Sequence, residues 1–475
     1  MEKTTARPST VGELRASGWR DRTVKEELRH NVIERLRNGR ELFPGILGFE
    51  DTVLPALERA LLAGHDIVLL GERGQAKTRL IRGLVDLLDP EVPAIAGGEV
   101  NDSPYHPVSA HAVEQVAELG DATPLVWIPR DRRYGEKLAT PDTSVGDLIG
   151  DVDPIRVAEG RYLSDEFVIH YGLVPRTNRG IFSINELPDL PARIQVALFN
   201  VLEERDVQVR GFQVRMPIDL LLVATANPED YTNRGRIITP LKDRFGSEIR
   251  THYPIDPAHE IDIMEQEAHI SSTDVDVTIP EFMKEVLAEF SRLARRSPHI
   301  NQRAGVSVRL SIANLETLVA SAVRRAIRCG EEEAVPRIAD LPATLQSSGG
   351  RIEFETFEED RKDDILTQLM GHAVLQSFVD RLQGHEFRWL VERFDAEGLA
   401  IEAGDLTPAA DIVGPFAESP DLGVLLHRLG IARPSLATTA SAVEFALEGL
   451  HLSRRLNKTS EGRGGGRYSA DLSSL

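Results

Sequence analysis

Residues 66–84 read DIVLLGERGQAKTRLIRGL, and the order of residue types along them sets the expected architecture. Ile67 to Leu70 form a short apolar run of the kind that makes a buried strand. A glycine-containing loop follows, and then a segment with helical spacing of apolar residues. Gly71 to Thr78, GERGQAKT, matches the phosphate-loop pattern G-x-x-x-x-G-K-[ST] except that Ala76 stands where the last glycine is expected. Such a loop must turn tightly enough for its backbone N–H groups to converge on phosphates. It also needs an ammonium for the outer phosphates and a hydroxyl for Mg²⁺. Gly71 and Gly74 supply backbone freedom, Lys77 the ammonium and Thr78 the hydroxyl, while the helix that follows adds its N-terminal partial positive charge. Alanine in place of glycine matters only if that position needs a positive φ or has no room for a methyl group.

Working outward, LFPGILGFEDTVLPALERALLAGH precedes the strand and reads as a turn and an amphipathic helix. Further apolar strands are expected at PLVWIP near residue 125, at GIFSI from Gly180, and at DLLLVATAN ending at Asn227. The α/β alternation extends over 41–255 and predicts a parallel sheet. Residues 1–40 are a charged, helical extension, with Val32, Ile33 and Leu36 at helical spacing. From 256 to 335 only helices are expected, which suggests a small helical domain. Residues 336–458 read as mostly helical, and the Gly- and Ser-rich 459–475 as a flexible tail. VQVRGFQVRMP, from Val207, alternates about Arg210-Gly211 and reads as a hairpin.

Composition narrows the class. The 475 residues are 41% hydrophobic and 27% charged, as in ordinary globular proteins. One cysteine, Cys329, rules out an internal disulfide framework. There is no apolar run long enough to span a membrane and no signal-peptide pattern at the N-terminus, so a cytoplasmic protein is expected. The net charge of −20 argues against a general nucleic-acid surface. His106 and His111 lack a cysteine or a carboxylate at ligand spacing, and read as loop or helix-surface residues.

Four segments together resemble AAA+ ATPases, and within them the magnesium-chelatase ATPase (I) subunit and the MoxR group. They are FPGILGFEDTV, GERGQAKT, LVPRTNRGIFSINELPDLPARIQVALFNVLEERDVQVRG and LLLVATANPEDYTNRGRIITPLKDRFG, in that order within about 43–330. The resemblance implies a P-loop parallel-sheet domain, a helical lid, and ATP with Mg²⁺ as cofactors. It assigns Gly71, Gly74, Gln75, Ala76, Lys77, Thr78 and Leu80 to the nucleotide. Asn227 becomes the sensor-1 residue near the γ-phosphate, and Arg244 the finger that reaches a neighbouring subunit's nucleotide. Arg309 becomes the sensor-2 candidate, and Arg176 and Arg179 sit where the family places interface arginines. The hairpin, with Arg210 and Arg215, would face the axis of a homo-oligomeric ring or a partner. By the same resemblance that partner carries a von Willebrand A-type domain.

One position departs from the pattern. The strand GIFSI leads into Asn185-Glu186, where an Asp-Glu pair is usual. Glu186 retains the water-positioning carboxylate, whereas Asn185 can accept a hydrogen bond from a metal-bound water or from Thr78 but brings no charge. The expected function is therefore an ATP-driven remodelling motor with slow turnover, with metal insertion into a tetrapyrrole or a protein as one outcome. A hydrolysis-poor scaffold is the alternative. Transcription activation, another AAA+ role, is disfavoured because the GAFTGA loop is missing.

Overall fold

The computed structural model describes the chain apart from residues 1–6, 153–168, 209–214, 229–235, 271–274, 303, 356–357, 383–387, 462–464 and 471–475. It divides into two compact units, Met1–His252 and Tyr253–Leu475.

The first unit is built on five strands: β1 (Ile67–Leu70), β2 (Tyr134–Leu138), β3 (Gly180–Asn185), β4 (Leu220–Ala226) and β5 (Ser247–Arg250). They lie in the order β5-β1-β4-β3-β2, and every neighbouring pair is parallel. Parallel neighbours need crossovers, which cover both faces and so make the inner strands apolar throughout. β4, LLLVATA, is buried at every position. Its residues split by alternation: Leu221 and Val223 join the core on one face, Leu220, Leu222, Ala224 and Ala226 the core on the other.

Helices α1 (Val24–Arg37), α2 (Val53–Ala63) and α3 (Lys77–Gly83) contribute Val24, Leu28, Leu57, Leu61, Leu80 and Ile81 to the first of these faces. Helix α4 (Ala192–Glu203) supplies Ile194, Leu198 and Val201 to the opposite one, with Leu241 of α5 (Thr239–Arg244). The N-terminal segment is thus part of this core. Thr23 caps α1 through a reciprocal box with Glu26. Arg133 and Glu27 form a buried bidentate pair at 2.8 and 2.6 Å that ties α1 to the residue just before β2.

Two expectations change. PLVWIP does form a strand, but it pairs antiparallel with Glu91–Ile95 outside the central sheet. The fifth sheet position belongs to YGEKL, whose polar alternation does not look like a buried strand. β2 is one edge of the sheet, pairing with β3 alone, and it keeps Tyr134 and Glu136 half-buried on the α3 side; the opposite edge, β5, reads SEIR and was likewise not expected as a strand.

The second unit gathers five long helices, Pro257–Glu267, Glu281–Ala294, Arg309–Cys329, Lys362–Arg381 and Leu436–Leu452. Phe282, Phe378 and Phe445 meet in its core. Residues read as two regions, 256–335 and 336–458, share this one core. The expected flexible tail is corrected as well. Asn457–Glu461 and Gly465–Ser469 pair antiparallel, and the latter also pairs with Ala400–Ala403. Tyr468 is buried with its hydroxyl on Glu448, to which Lys458 also binds at 2.6 Å. A side chain at Gly466 would collide with the Lys458 stem, so glycine there serves strand packing.

Of the predicted hairpin, Asp206–Gln208 and Arg215–Pro217 pair antiparallel. Arg210 and Gly211 lie outside the described residues. No helix among the described residues is long and apolar enough to cross a membrane.

Candidate nucleotide site

The site lies at the carboxyl ends of β1, β3 and β4, where a parallel sheet presents its loops. The loop between β1 and α3 is held by its own residues. Gly71 N–H donates to the Ala226 carbonyl at 3.1 Å. The Gln75 side-chain oxygen accepts from Glu72 N–H at 3.0 Å and from the Thr251 hydroxyl at 2.7 Å, which staples the loop to the end of β5. A Cβ on Gly71 would overlap both Thr251 and Gln75, so this position admits no side chain. Gly74 takes φ +77°. Ala76, at φ 52° and ψ 14°, occupies the left-handed region that its glycine counterpart would enter without cost.

Lys77 is 8% exposed, with its ammonium donating to the Gly71 carbonyl, to the Glu72 carbonyl at 2.8 Å and to Asn227 Oδ1 at 2.8 Å. Asn227 in turn donates from Nδ2 to Glu186 Oε2 at 2.6 Å. Lys77, Asn227 and Glu186, from three separate elements, therefore form one hydrogen-bonded chain across the mouth of the loop. Glu186 reaches it because its backbone is left-handed, φ 57° and ψ 48°, with its N–H donating to Thr225 Oγ1 at 3.0 Å. Such backbone strain in a non-glycine residue clusters at functional sites. A cavity of about 370 Å³ opens beside the loop, lined by Gly71, Glu72, Gln75, Lys242, Arg250 and Thr251. Lys242 and Arg250 each pair with Glu248, at 3.2 and 3.4 Å, and nothing in their local sequence signalled their place beside the loop.

Thr78 lies in the first turn of α3. Leu80 is fully buried, so its side chain seats the helix in the core and is not available to a ligand. Asn185 closes β3 on the α3 side of the sheet. Its Nδ2 donates to Glu136 Oε1 at 2.6 Å, while its Oδ1 is buried with no hydrogen-bond partner. Glu136 Oε2 accepts from the Tyr134 hydroxyl at 3.0 Å and pairs with Arg82 of α3 at 3.2 Å. Burial, with the Glu136 charge as a second cause, pushes the Tyr134 hydroxyl up to about 12.

The remaining arginines fall elsewhere. Arg244 ends α5 with its guanidinium on Glu203 and over the Phe199 ring at 5.5 Å. Arg309 is exposed at the start of its helix in the second unit. Arg176 pairs with Glu99 at 2.9 Å at the surface. Arg179 is 5% exposed and bonds the Pro93 carbonyl at 2.6 Å and Asp21 at 3.2 Å, so the interface role expected of it gives way to an internal one. His111 faces the Ala96 carbonyl at 3.4 Å, and no group of three or more His, Cys, Asp or Glu side chains suited to a metal occurs among the described residues.

Comparison with known proteins bears on this geometry. Residues 164–244 match the family described as a Sigma-54 interaction domain, well under half of the chain. The magnesium-chelatase subunit ChlI of Nostoc sp. is 27% identical over 260 residues, which cover 54% of this chain and 64% of that one. The magnesium-chelatase 38 kDa subunit of Cereibacter sphaeroides is 29% identical over 230 residues, covering 47% and 62%. The match thus spans less than two-thirds of these relatives' length. A chain from the magnesium-chelatase BchI–BchD complex aligns with 70% of this chain at 21% identity and a TM-score of 0.36, too low to bear on the fold. With a strand–loop–helix phosphate motif in place on a parallel sheet, and these relatives in sequence, the chain resembles the AAA+ ATPases, and among them the magnesium-chelatase I subunit.

Proposed function

We propose that the chain is an ATP-driven motor that remodels or activates a partner protein. The observation that carries this reading is the Lys77–Asn227–Glu186 chain, which places a cation, an amide and a carboxylate around the mouth of a phosphate loop. When ATP enters, the Lys77 ammonium exchanges its carbonyl and amide acceptors for phosphate oxygens. Asn227 is then free to hold the water that Glu186 positions for attack. The residues present also fit Mg²⁺. Thr78 offers a hydroxyl, and Asn185 Oδ1 is a buried acceptor that still lacks a donor. Bound with ATP, the metal would neutralise charge that develops on the phosphates.

Arg244 acts in this scheme on the nucleotide of a neighbouring copy within a homo-oligomeric ring, after release from Glu203. Arg309 serves as the sensor-2 arginine. The partner is of the von Willebrand A type, as the resemblance to the chelatase I subunit and the MoxR group implies, and metal insertion is one possible outcome of its remodelling. Transcription activation gains support from the Sigma-54 interaction-domain match, but the GAFTGA loop is missing from the sequence.

The test is sedimentation velocity with and without ATP and Mg²⁺, followed by ATP turnover with an added von Willebrand A-domain protein. Nucleotide-dependent assembly and faster turnover with the partner are expected. A monomer at every nucleotide concentration, indifferent to the partner, would contradict the proposal.

A further inference from the structure

We infer that Glu136 is a positioning residue for the metal side of the nucleotide site, and that it restores the negative charge Asn185 does not bring. This rests on the nucleotide reading above and adds to it a residue from a strand the phosphate motifs do not include. An asparagine amide serves a cation only through its oxygen, because its NH₂ group repels positive charge. Something must therefore hold Nδ2 away from the metal. Glu136 does so, accepting from Asn185 Nδ2 at 2.6 Å. The flipped amide would set Oδ1 against a carboxylate oxygen at that distance, so the orientation is determined.

Parallel pairing places Glu136 opposite Ser183, two residues before Asn185 and on the same face of the sheet as α3. The side chain runs up the face to the strand end. There it leaves Asn185 Oδ1 as a buried acceptor without a donor. The carboxylate is also held by the Tyr134 hydroxyl on Oε2 and by Arg82, which reaches Oε2 at 3.2 Å and Oε1 at 3.5 Å and, with its side chain 65% exposed, offsets only part of the Glu136 charge. The usual single aspartate is thus divided between two residues: Asn185 supplies the oxygen, Glu136 the charge and the orientation.

The test is Mn²⁺ binding by electron paramagnetic resonance in the presence of ATP, with ATP affinity measured separately without metal and folding checked by thermal melting. Glu136→Gln should weaken Mn²⁺ binding about tenfold or more and leave metal-free ATP affinity unchanged. Asn185→Asp alone puts two carboxylates in contact and should bring no gain. The double variant Glu136→Gln/Asn185→Asp restores one charge and one donor, and should recover wild-type Mn²⁺ affinity. Arg82→Gln, an exposed change, should tighten Mn²⁺ a fewfold. Wild-type Mn²⁺ affinity in Glu136→Gln, or the same gain from Asn185→Asp with and without Glu136, would overturn the inference. Failure of the wild type to bind ATP at all would overturn the nucleotide reading, and this inference with it.

Discussion

Ala76 pays a conformational cost that its glycine counterpart would not. An L-residue in the left-handed region costs about 1–2 kcal/mol, part of which glycine returns through its freer unfolded state. Ala76→Gly should therefore raise stability by about 0.5–1 kcal/mol in chemical denaturation, whereas Ala76→Val should lower it by more than that. The sequence showed the substitution but not its conformation, because only the folded loop fixes φ. Lys77, Glu186 and Asn227 were legible from motif order. Their mutual hydrogen bonds were not, since these depend on the left-handed turn at Glu186 and on strand register. Glu136 was invisible for the same reason: nothing local in YGEKL says that it lies beside Asn185.

At the scale of elements, the strands with continuous apolar runs were readable, and the two edge strands, β2 and β5, were not. Alternating polar residues at an edge look like a surface segment, while the more apolar PLVWIP was diverted into a ribbon with Glu91–Ile95. Helix α1 shows how an apparent extension becomes part of the unit, through one buried and one half-buried carboxylate. Glu27 meets Arg133, and removing it as Glu27→Ala leaves a buried guanidinium unpaired, which should cost about 3–5 kcal/mol in denaturant midpoints. Asp219, at the head of β4, accepts the Val24 N–H at 2.9 Å, and burial pushes its carboxyl from the ordinary 3.8 up to about 6. A folded-state value above the unfolded one means that its contribution is full below about pH 4 and is lost as pH rises through 6. Relative to Asp219→Asn, which keeps the acceptor, the wild type should lose up to about 3 kcal/mol between those values. Parallel denaturation curves at pH 4 and pH 7 would measure the difference.

At the scale of the whole molecule, the break at His252/Tyr253 separates the phosphate loop from the Arg309 helix. The formal net charge of −20 argues against a general nucleic-acid surface. If Arg244 works between copies, Arg244→Ala should abolish at least 100-fold of the assembled turnover while leaving ATP affinity intact. Mixing it with Glu186→Gln should restore part of the activity, since each variant then supplies what the other lacks.

The most direct measurement is steady-state ATP hydrolysis, with ATP binding followed in parallel, for the wild type and Glu186→Gln. Turnover in the wild type that falls 100-fold or more in Glu186→Gln, at equal ATP affinity, is the predicted result. Wild-type turnover that survives the substitution would contradict the assignment of Glu186, and ATP bound without any hydrolysis, even with the partner present, would make the protein a scaffold and not a motor.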